Sequence, residues 1–169
     1  MKMSTDNAMI PNFMSPLEFV VSVKRLPNVQ FFTQSVSIPG VSLQFIEQPN
    51  PFKPIPIPGD KISYGDLPLS FIIDESMSNY IEVFNWMKGI TFPDNYDQYK
   101  DLKSSEYGIL TDISIVVMNS HKNPNIEIQF QDCFPVSLSD VTLDTTQTDI
   151  VYPQATVTFT FKSFTITQL

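Results

Sequence analysis

A nucleophile–base pair needs a thiol or hydroxyl beside an imidazole, and the 169-residue chain offers one histidine, His121, and one cysteine, Cys133. Their settings argue against such a pair. His121 sits in Asn119-Ser120-His121-Lys122-Asn123-Pro124-Asn125, a string of turn formers between two apolar runs. Cys133 follows a strand-like run and precedes Phe134-Pro135, where a small buried thiol is the usual occupant. The same scarcity excludes the usual Cys/His zinc sites and an intramolecular disulfide framework. The sequence calls for no metal and no cofactor.

Eighteen acidic residues invite a glycosidase reading, in which paired carboxylates act as acid and nucleophile. Asp74 and Glu75 are adjacent, so on an extended chain they point to opposite faces and cannot flank one bond. Asp60 and Asp66 bracket a turn, a common place for Asp because its carboxylate bonds the local backbone. Asp94-Asn95-Tyr96-Asp97 lacks the alternating ligands and the glycine of a calcium loop. The five glycines, Gly40, Gly59, Gly65, Gly89 and Gly108, have no spacing that cradles a phosphate. A formal charge of −8 with only ten Lys and Arg argues against wrapping nucleic acid, since that affinity comes from neutralising phosphates. Trp86, Tyr96 and Tyr99 fit either a sugar-stacking platform or the packing of a helix and an interface. No enzyme is read from these residues.

The elements that would position them have a dominant period of two. Leu17, Phe19, Val21 and Val23 alternate with polar residues, as do Phe32, Val36 and Ile38 opposite Thr33, Ser35 and Ser37. After Pro39-Gly40 come Val41, Leu43 and Phe45, with Ser42 and Gln44 between them. Further strands are expected over Leu67–Ile73, Ile113–Val117, Ile126–Phe130, a shorter Val141–Leu143, and Ala155–Phe161. Ser163 then breaks parity before Phe164 and Ile166, where a bulge would keep the apolar side chains on one face. One stretch changes period: Met77, Tyr80, Ile81, Phe84 and Met87 or Lys88 predict a single amphipathic helix over about 77–88. Ser76 or Asn79 would cap it, with Glu82 as partner, and Lys88-Gly89 would end it. Trp86 lies off that apolar line. The fold class expected is mainly β, an antiparallel two-sheet sandwich or barrel flanked by one helix and joined by long loops.

Two stretches fit neither period. Residues 49–58 carry five prolines in ten, and proline cannot donate to a sheet ladder, so a projecting extended arm is expected there. Residues 90–109, rich in Tyr and Asp, read as a long connection, and such loops usually bind something. Residues 1–14 read as an N-terminal arm, and 15–169 as one domain. The N-terminus turns polar where a secretory peptide would be apolar, and no run approaches a membrane span, so a product of a reducing cytoplasm without a membrane anchor is expected. Phe71-Ile72-Ile73 and Ile115-Val116-Val117-Met118 are apolar on both faces. They lie either between layers of one domain or under a neighbouring subunit.

From Gly59 onward the order of features resembles a known family. Gly59-Asp60-Lys61-Ile62-Ser63-Tyr64-Gly65-Asp66-Leu67 leads into the strand Leu69–Ile73, then Asp74-Glu75 and the helix with Asn79-Tyr80 and Trp86. Ile128-Gln129-Phe130, Cys133-Phe134-Pro135-Val136-Ser137-Leu138 and Ala155–Phe161 follow. This pattern, over about residues 15 to 167, is similar to the tail tube and baseplate tube-initiator proteins of contractile-tailed bacteriophages. The resemblance implies a homo-hexameric ring whose inner sheets join into one barrel. It implies rings that stack with themselves or with related tube proteins, sheath and baseplate partners, and DNA passing through the lumen unbound. It places the protein in the virion tail after assembly in the host cytoplasm. Contacts between subunits and rings are then expected from Pro49, Pro51, Phe52, Pro54, Ile55, Tyr96 and Tyr99. The lumen is expected to be lined by Thr33, Ser35, Ser37, Ser42 and Gln44, because a wall past which DNA slides should be polar and not basic. The alternatives are a carbohydrate-binding module using Trp86, a hydrolase using Asp74 and Glu75, and the tube of a related injection or secretion system.

Overall fold

Side chains on a strand alternate between faces, so the odd-numbered apolar residues of several segments must share one core. The computed structural model describes Met14 and residues 16–91, 95–104, 108–146 and 151–169. The expected N-terminal arm, Met14 apart, lies outside the described residues, as do Asp94 and Tyr107.

The strands are β1 (Phe19–Val23), β2 (Thr33–Val36), β3 (Val41–Gln48), β4 (Ile55–Tyr64), β5 (Leu67–Ile72), β6 (Thr111–Met118), β7 (Pro124–Leu138), β8 (Gln154–Thr160) and β9 (Ser163–Gln168). Three helices, α1 (Pro27–Phe31), α2 (Ser78–Thr91) and α3 (Tyr96–Ser104), interrupt them. The main sheet runs β1-β6-β7-β8-β5-β2, all antiparallel, with β9 on β7. Among the described residues it does not close into a barrel.

Strand β7 makes two layers out of one sheet. Its first part pairs with β6 and β9, from Ile126↔Gln168 to Gln131↔Ser163, and its last part pairs with β8, from Phe134↔Thr160 onward. Between the two lies a corner. There Asp132 takes a left-handed φ of 56°, which Asp tolerates better than most residues, and the Lys162 backbone N–H donates to Gln131 at 3.0 Å. The parity break at Ser163 is this corner. Phe161 and Phe164 stay on one side of it and meet edge-to-face, both against Phe130. Strands that switch layers at such bends are a standard way to turn a sandwich corner.

The core lies between the layers. Val21, Val23, Leu67, Leu69, Phe71, Ile113, Ile115, Phe130, Val157 and Phe159 are buried, and their even-numbered neighbours in β5, β6 and β8 are half-buried or exposed. Ile72, Val116 and Met118 are therefore half-covered, not sealed on a second face.

Four expectations need correction. Residues 90–109 are not a plain connection, because Tyr96–Ser104 forms α3, whose Leu102 packs on Gly89 of α2; a Cβ at Gly89 would sit 3.3 Å from three Leu102 carbons. The missing side chain lets two helices approach closely. With α1, the flanking helix is one of three among the described residues. Residues 141–143 form no strand. Residues 55–58 belong to β4 and do join a ladder, with Ile57 opposite Ile46 and Pro56 opposite Glu47. In a two-stranded ribbon each strand has a free edge, so alternate prolines turn their missing donors outward while Ile55 and Ile57 serve the ladder. Finally, α2 buries Asn79, Val83, Trp86 and Gly89, leaving Met77, Ile81 and Phe84 largely exposed. The indole of Trp86, the largest side chain on the helix, sits against Phe159 and decides which face turns inward.

Candidate assembly surface

The catalytic candidates are held apart. Cys133 pairs with Thr111 at one end of the β6–β7 ladder, and His121 lies in the exposed turn beyond its other end, where Met118 faces Pro124. Seven residues of strand separate them, about 23 Å. The thiol is fully buried, and burial pushes its pKa up to about 12. Asp74 is occupied by the start of α2. Its carboxylate accepts from the Ser76 hydroxyl and from the Asn79 backbone N–H. Asp66 accepts from Thr160, and Asn95 caps α3 by accepting the Asp97 N–H at 3.3 Å. Among the described residues no three His, Cys, Asp or Glu side chains converge on a metal position, and no helix is long and apolar enough to cross a membrane.

The sugar-platform candidates separate too. Trp86 is 2% exposed, its indole N–H donates to the Ile109 carbonyl at 3.0 Å, and the Arg25 guanidinium covers its ring at 5.0 Å. A buried indole cannot stack on a glycan. Tyr96 and Tyr99 stay together on α3, with ring centroids 5.9 Å apart and Tyr96 exposed.

Strands β3 and β4 form a two-stranded ribbon apart from the main sheet. Every residue of β3 is exposed, and in β4 only Gly59 and Tyr64 are partly covered. Val41, Leu43, Phe45, Ile46, Ile57 and Ile62 present open apolar surface. Residues 49–54 make the tip, where Phe52 is 97% exposed. Covering one such half-exposed side chain is worth about 1 kcal/mol. The sequence gives the reason for the ribbon's persistence: its pairing Gln48↔Ile55 through Val41↔Tyr64 carries β-branched residues, and the Gly65 N–H closes its base on Gly40 at 2.9 Å. Midway, a register shift at Gln44 faces Gly59, whose absent Cβ would lie 2.5 Å from the Gln44 carbonyl oxygen. Only glycine fits that bulge. The sites expected at Pro49, Pro51, Phe52, Pro54 and Ile55 are thus brought together at one end of the ribbon; Tyr96 and Tyr99 lie on another element.

The expected polar lining is divided. A register shift inserts Gln34 between Thr33 and Ser35, so Thr33 lies opposite inward Phe71 with its hydroxyl on the Val29 carbonyl, while Ser35 lies opposite Ser70. Thr33 and Ser35 therefore do not share a face, a correction to the simple alternation. Ser42 is on the ribbon, bonded to the Ser63 carbonyl. What simple alternation missed is the company Ser35 keeps. On the outer side of β2, β5, β8 and the end of β7, it joins Ser70, Thr156, Thr158 and Ser137, with the Ser70 and Thr156 hydroxyls 2.8 Å apart. These side chains are uncharged, and the Asp66 carboxylate, held by the Thr160 hydroxyl, lies at the end of their row.

Two apolar depressions frame the body. One, of about 690 Å³, is lined by Phe32, Ile72, Met77, Val141, Leu143 and Tyr152, with Asp74 and Glu75 at its wall. The other lies along the open seam between β1 and β2, lined by Met14, Phe19, Val36, Ile38 and Val117.

Among the described residues, then, the prominent surface feature is an exposed apolar ribbon on an open sandwich. Known structures share the fold. A chain of the PVC sheath-tube complex of an extracellular contractile injection system matches with a TM-score of 0.65 at 18% identity, over 99% of this chain and 100% of that one. The tube-terminating cap of the anti-feeding prophage matches at 0.62 and 16% identity, over all of both chains. A chain of the 6-fold symmetrised anti-feeding prophage baseplate matches at 0.61 and 12%, over 92% and 96%. No curated protein sequence matches. The family described as phage tail tube protein matches residues 6–167, and the chain belongs to that family.

Proposed function

We propose that the protein is a subunit of a hexameric tail tube, or of the baseplate ring that initiates one, in a contractile tail. Its mechanism is polymerisation of identical subunits into rings that stack into a conduit for DNA. The observation that carries this reading is the β3–β4 ribbon. A monomer gains nothing from an apolar ribbon exposed along its whole length, whereas a copy laid against it recovers the burial. The baseplate neighbour is 6-fold symmetrised, which favours six copies here. The lumen is assigned to the hydroxyl face of Ser35, Ser70, Thr156 and Thr158, which offers DNA no cations to bind. Ser37, Ser42 and Gln44 extend that lining toward the ribbon. Sheath and baseplate proteins are the outer partners, and the virion tail is the destination, reached by assembly in the host cytoplasm. The tube of a related injection system would use the same surfaces. Electron microscopy of the purified protein tests the reading: rings or tubes are expected, and a monomer at every concentration refutes it. A ring structure with Ser35 and Ser70 outside the channel refutes the lumen assignment.

A further inference from the structure

The main chain places the ribbon tip and the larger apolar groove at opposite ends of one continuous path. β2 runs through residues 37–40 into β3, and β4 runs through Gly65-Asp66 into β5. β2 pairs with β5, as β3 pairs with β4. The tip is residues 49–54; the far end is Phe32 and Ile72, joined by the Ile72 N–H to the Phe32 carbonyl, and both line the groove. From the base at Gly40 and Gly65, the tip lies about 27 Å away along eight residues of β3, and the groove about 20 Å away along β5. Phe52 is 97% exposed, so the tip does not fill its own chain's groove.

The two ends complement each other. The tip offers an aromatic knob, Phe52, held out between Pro51 and Pro54, with the ammonium of Lys53 beside it. The groove offers apolar walls from Ile72, Met77, Leu143 and Tyr152, with two carboxylates, Asp74 and Glu75, at its wall. Its 690 Å³ is within the range of pockets that enclose a ligand of this bulk. Leu143 and Tyr152 are 83% and 67% exposed, an apolar surface without a cover.

We infer that the groove at the end of β5 is the receptor for the 49–54 tip of a second copy of this chain. Phe52 enters the apolar walls and Lys53 faces Asp74 and Glu75. A contact between two different surfaces of identical chains is heterologous, so each copy carries one knob and one groove and the contact propagates. The inference rests on the tube reading above and names the surface that receives its arm.

The buried native thiol leaves the surface clear for cysteine chemistry. Two full-length variants, Asn50→Cys and Thr142→Cys, keep Phe52 and the groove walls; they are purified reduced, mixed, assembled and then oxidised. A link between positions 50 and 142 can then form only between copies. Peptide mass spectrometry is expected to find that link at about tenfold or more the yield of a mixture of Asn50→Cys with Leu17→Cys, an exposed position outside the groove. Rings or tubes without a 50–142 link overturn the inference and leave the tube reading standing. Absence of any assembly by the unsubstituted protein overturns both.

Discussion

Asp74 and Asn79 hold each other across the start of α2. The Asn79 backbone N–H donates to the Asp74 carboxylate, and the Asp74 backbone N–H donates to the Asn79 carboxamide oxygen, each at 3.4 Å. The same carboxamide receives the Tyr80 N–H and gives its own N–H to the Ile72 carbonyl at 2.7 Å. Asn79 is fully buried, so Asn79→Ala leaves the Ile72 carbonyl without its donor. A loss of about 1–3 kcal/mol is expected, read as a lower midpoint in chemical denaturation with an unchanged slope.

Asp74 makes the same junction sensitive to acid. The Ser76 hydroxyl above all, with backbone N–H groups, holds its carboxyl below the ordinary 3.8. A depressed folded pKa means the stabilisation is present above 3.8 and is lost as pH falls through the folded value. Thermal melts of Asp74→Asn should therefore fall less steeply than the parent's below about pH 4. Parallel curves for the two proteins would show that the carboxylate adds nothing.

Trp86 separates a structural role from a ligand role. It contacts Phe159, donates to Ile109 and lies under Arg25, all inside the body. Trp86→Ala should cost about 3–5 kcal/mol and lower Tm by about 10 °C in circular-dichroism melts. Trp86→Phe keeps most of the apolar volume and should lose less. A Trp86→Ala protein that melts like the parent would contradict this core assignment.

Trp86 also shows how much was legible beforehand. The strands came through because alternation is local: each odd-numbered apolar residue in Leu67–Ile73 or Ala155–Phe161 reports its own face, and the parity break at Ser163 already marked the corner. Helix α2 was legible as a helix but not in its orientation. The stripe Met77, Ile81, Phe84 has the better spacing, yet the single large indole at Trp86 has more surface to bury, and that competition is settled only by the sheet beneath. α3 carried few apolar residues to reveal a period and is held instead by Leu102 against Gly89. β4 was hidden by its prolines, which a central strand would exclude and a two-stranded ribbon accepts. The receptor groove was not legible at all, because Phe32, Ile72 and Leu143 meet only through the topology.

Cys133 predicts an alkaline limit. Burial raises its thiol from 9.0 to about 12, with the Asp112 and Asp132 charges adding to the rise. Between those values the unfolded thiol is ionised while the folded one keeps its proton, so the unfolded state binds fewer protons and stability falls as pH rises. Across pH 9 to 12 the parent should lose stability more steeply than Cys133→Ala, whose curve starts lower because of the cavity. At pH 8 the native thiol should resist a disulfide reagent that labels it at once in denaturant.

Gly59 allows assembly to be separated from folding. In Gly59→Ala the new methyl meets the Gln44 carbonyl oxygen at 2.5 Å, a clash with backbone that no rotamer relieves. The ribbon must then change its bulge, and with it the direction in which Phe52 is presented. Of the ribbon only Tyr64, at its base against Phe161 and Phe164, packs on the core, and it lies five residues from Gly59, so stability should change by no more than about 1 kcal/mol. Rings and tubes should be lost from micrographs while the far-ultraviolet spectrum stays that of a folded β protein. Replacing residues 49–54 by Asn-Gly, which closes the Gln48–Ile55 pair with a tight turn, should give the same outcome by removing the knob and sparing the bulge. Normal tubes from both variants would mean that subunits join through other surfaces and that the ribbon's exposed apolar face has another use.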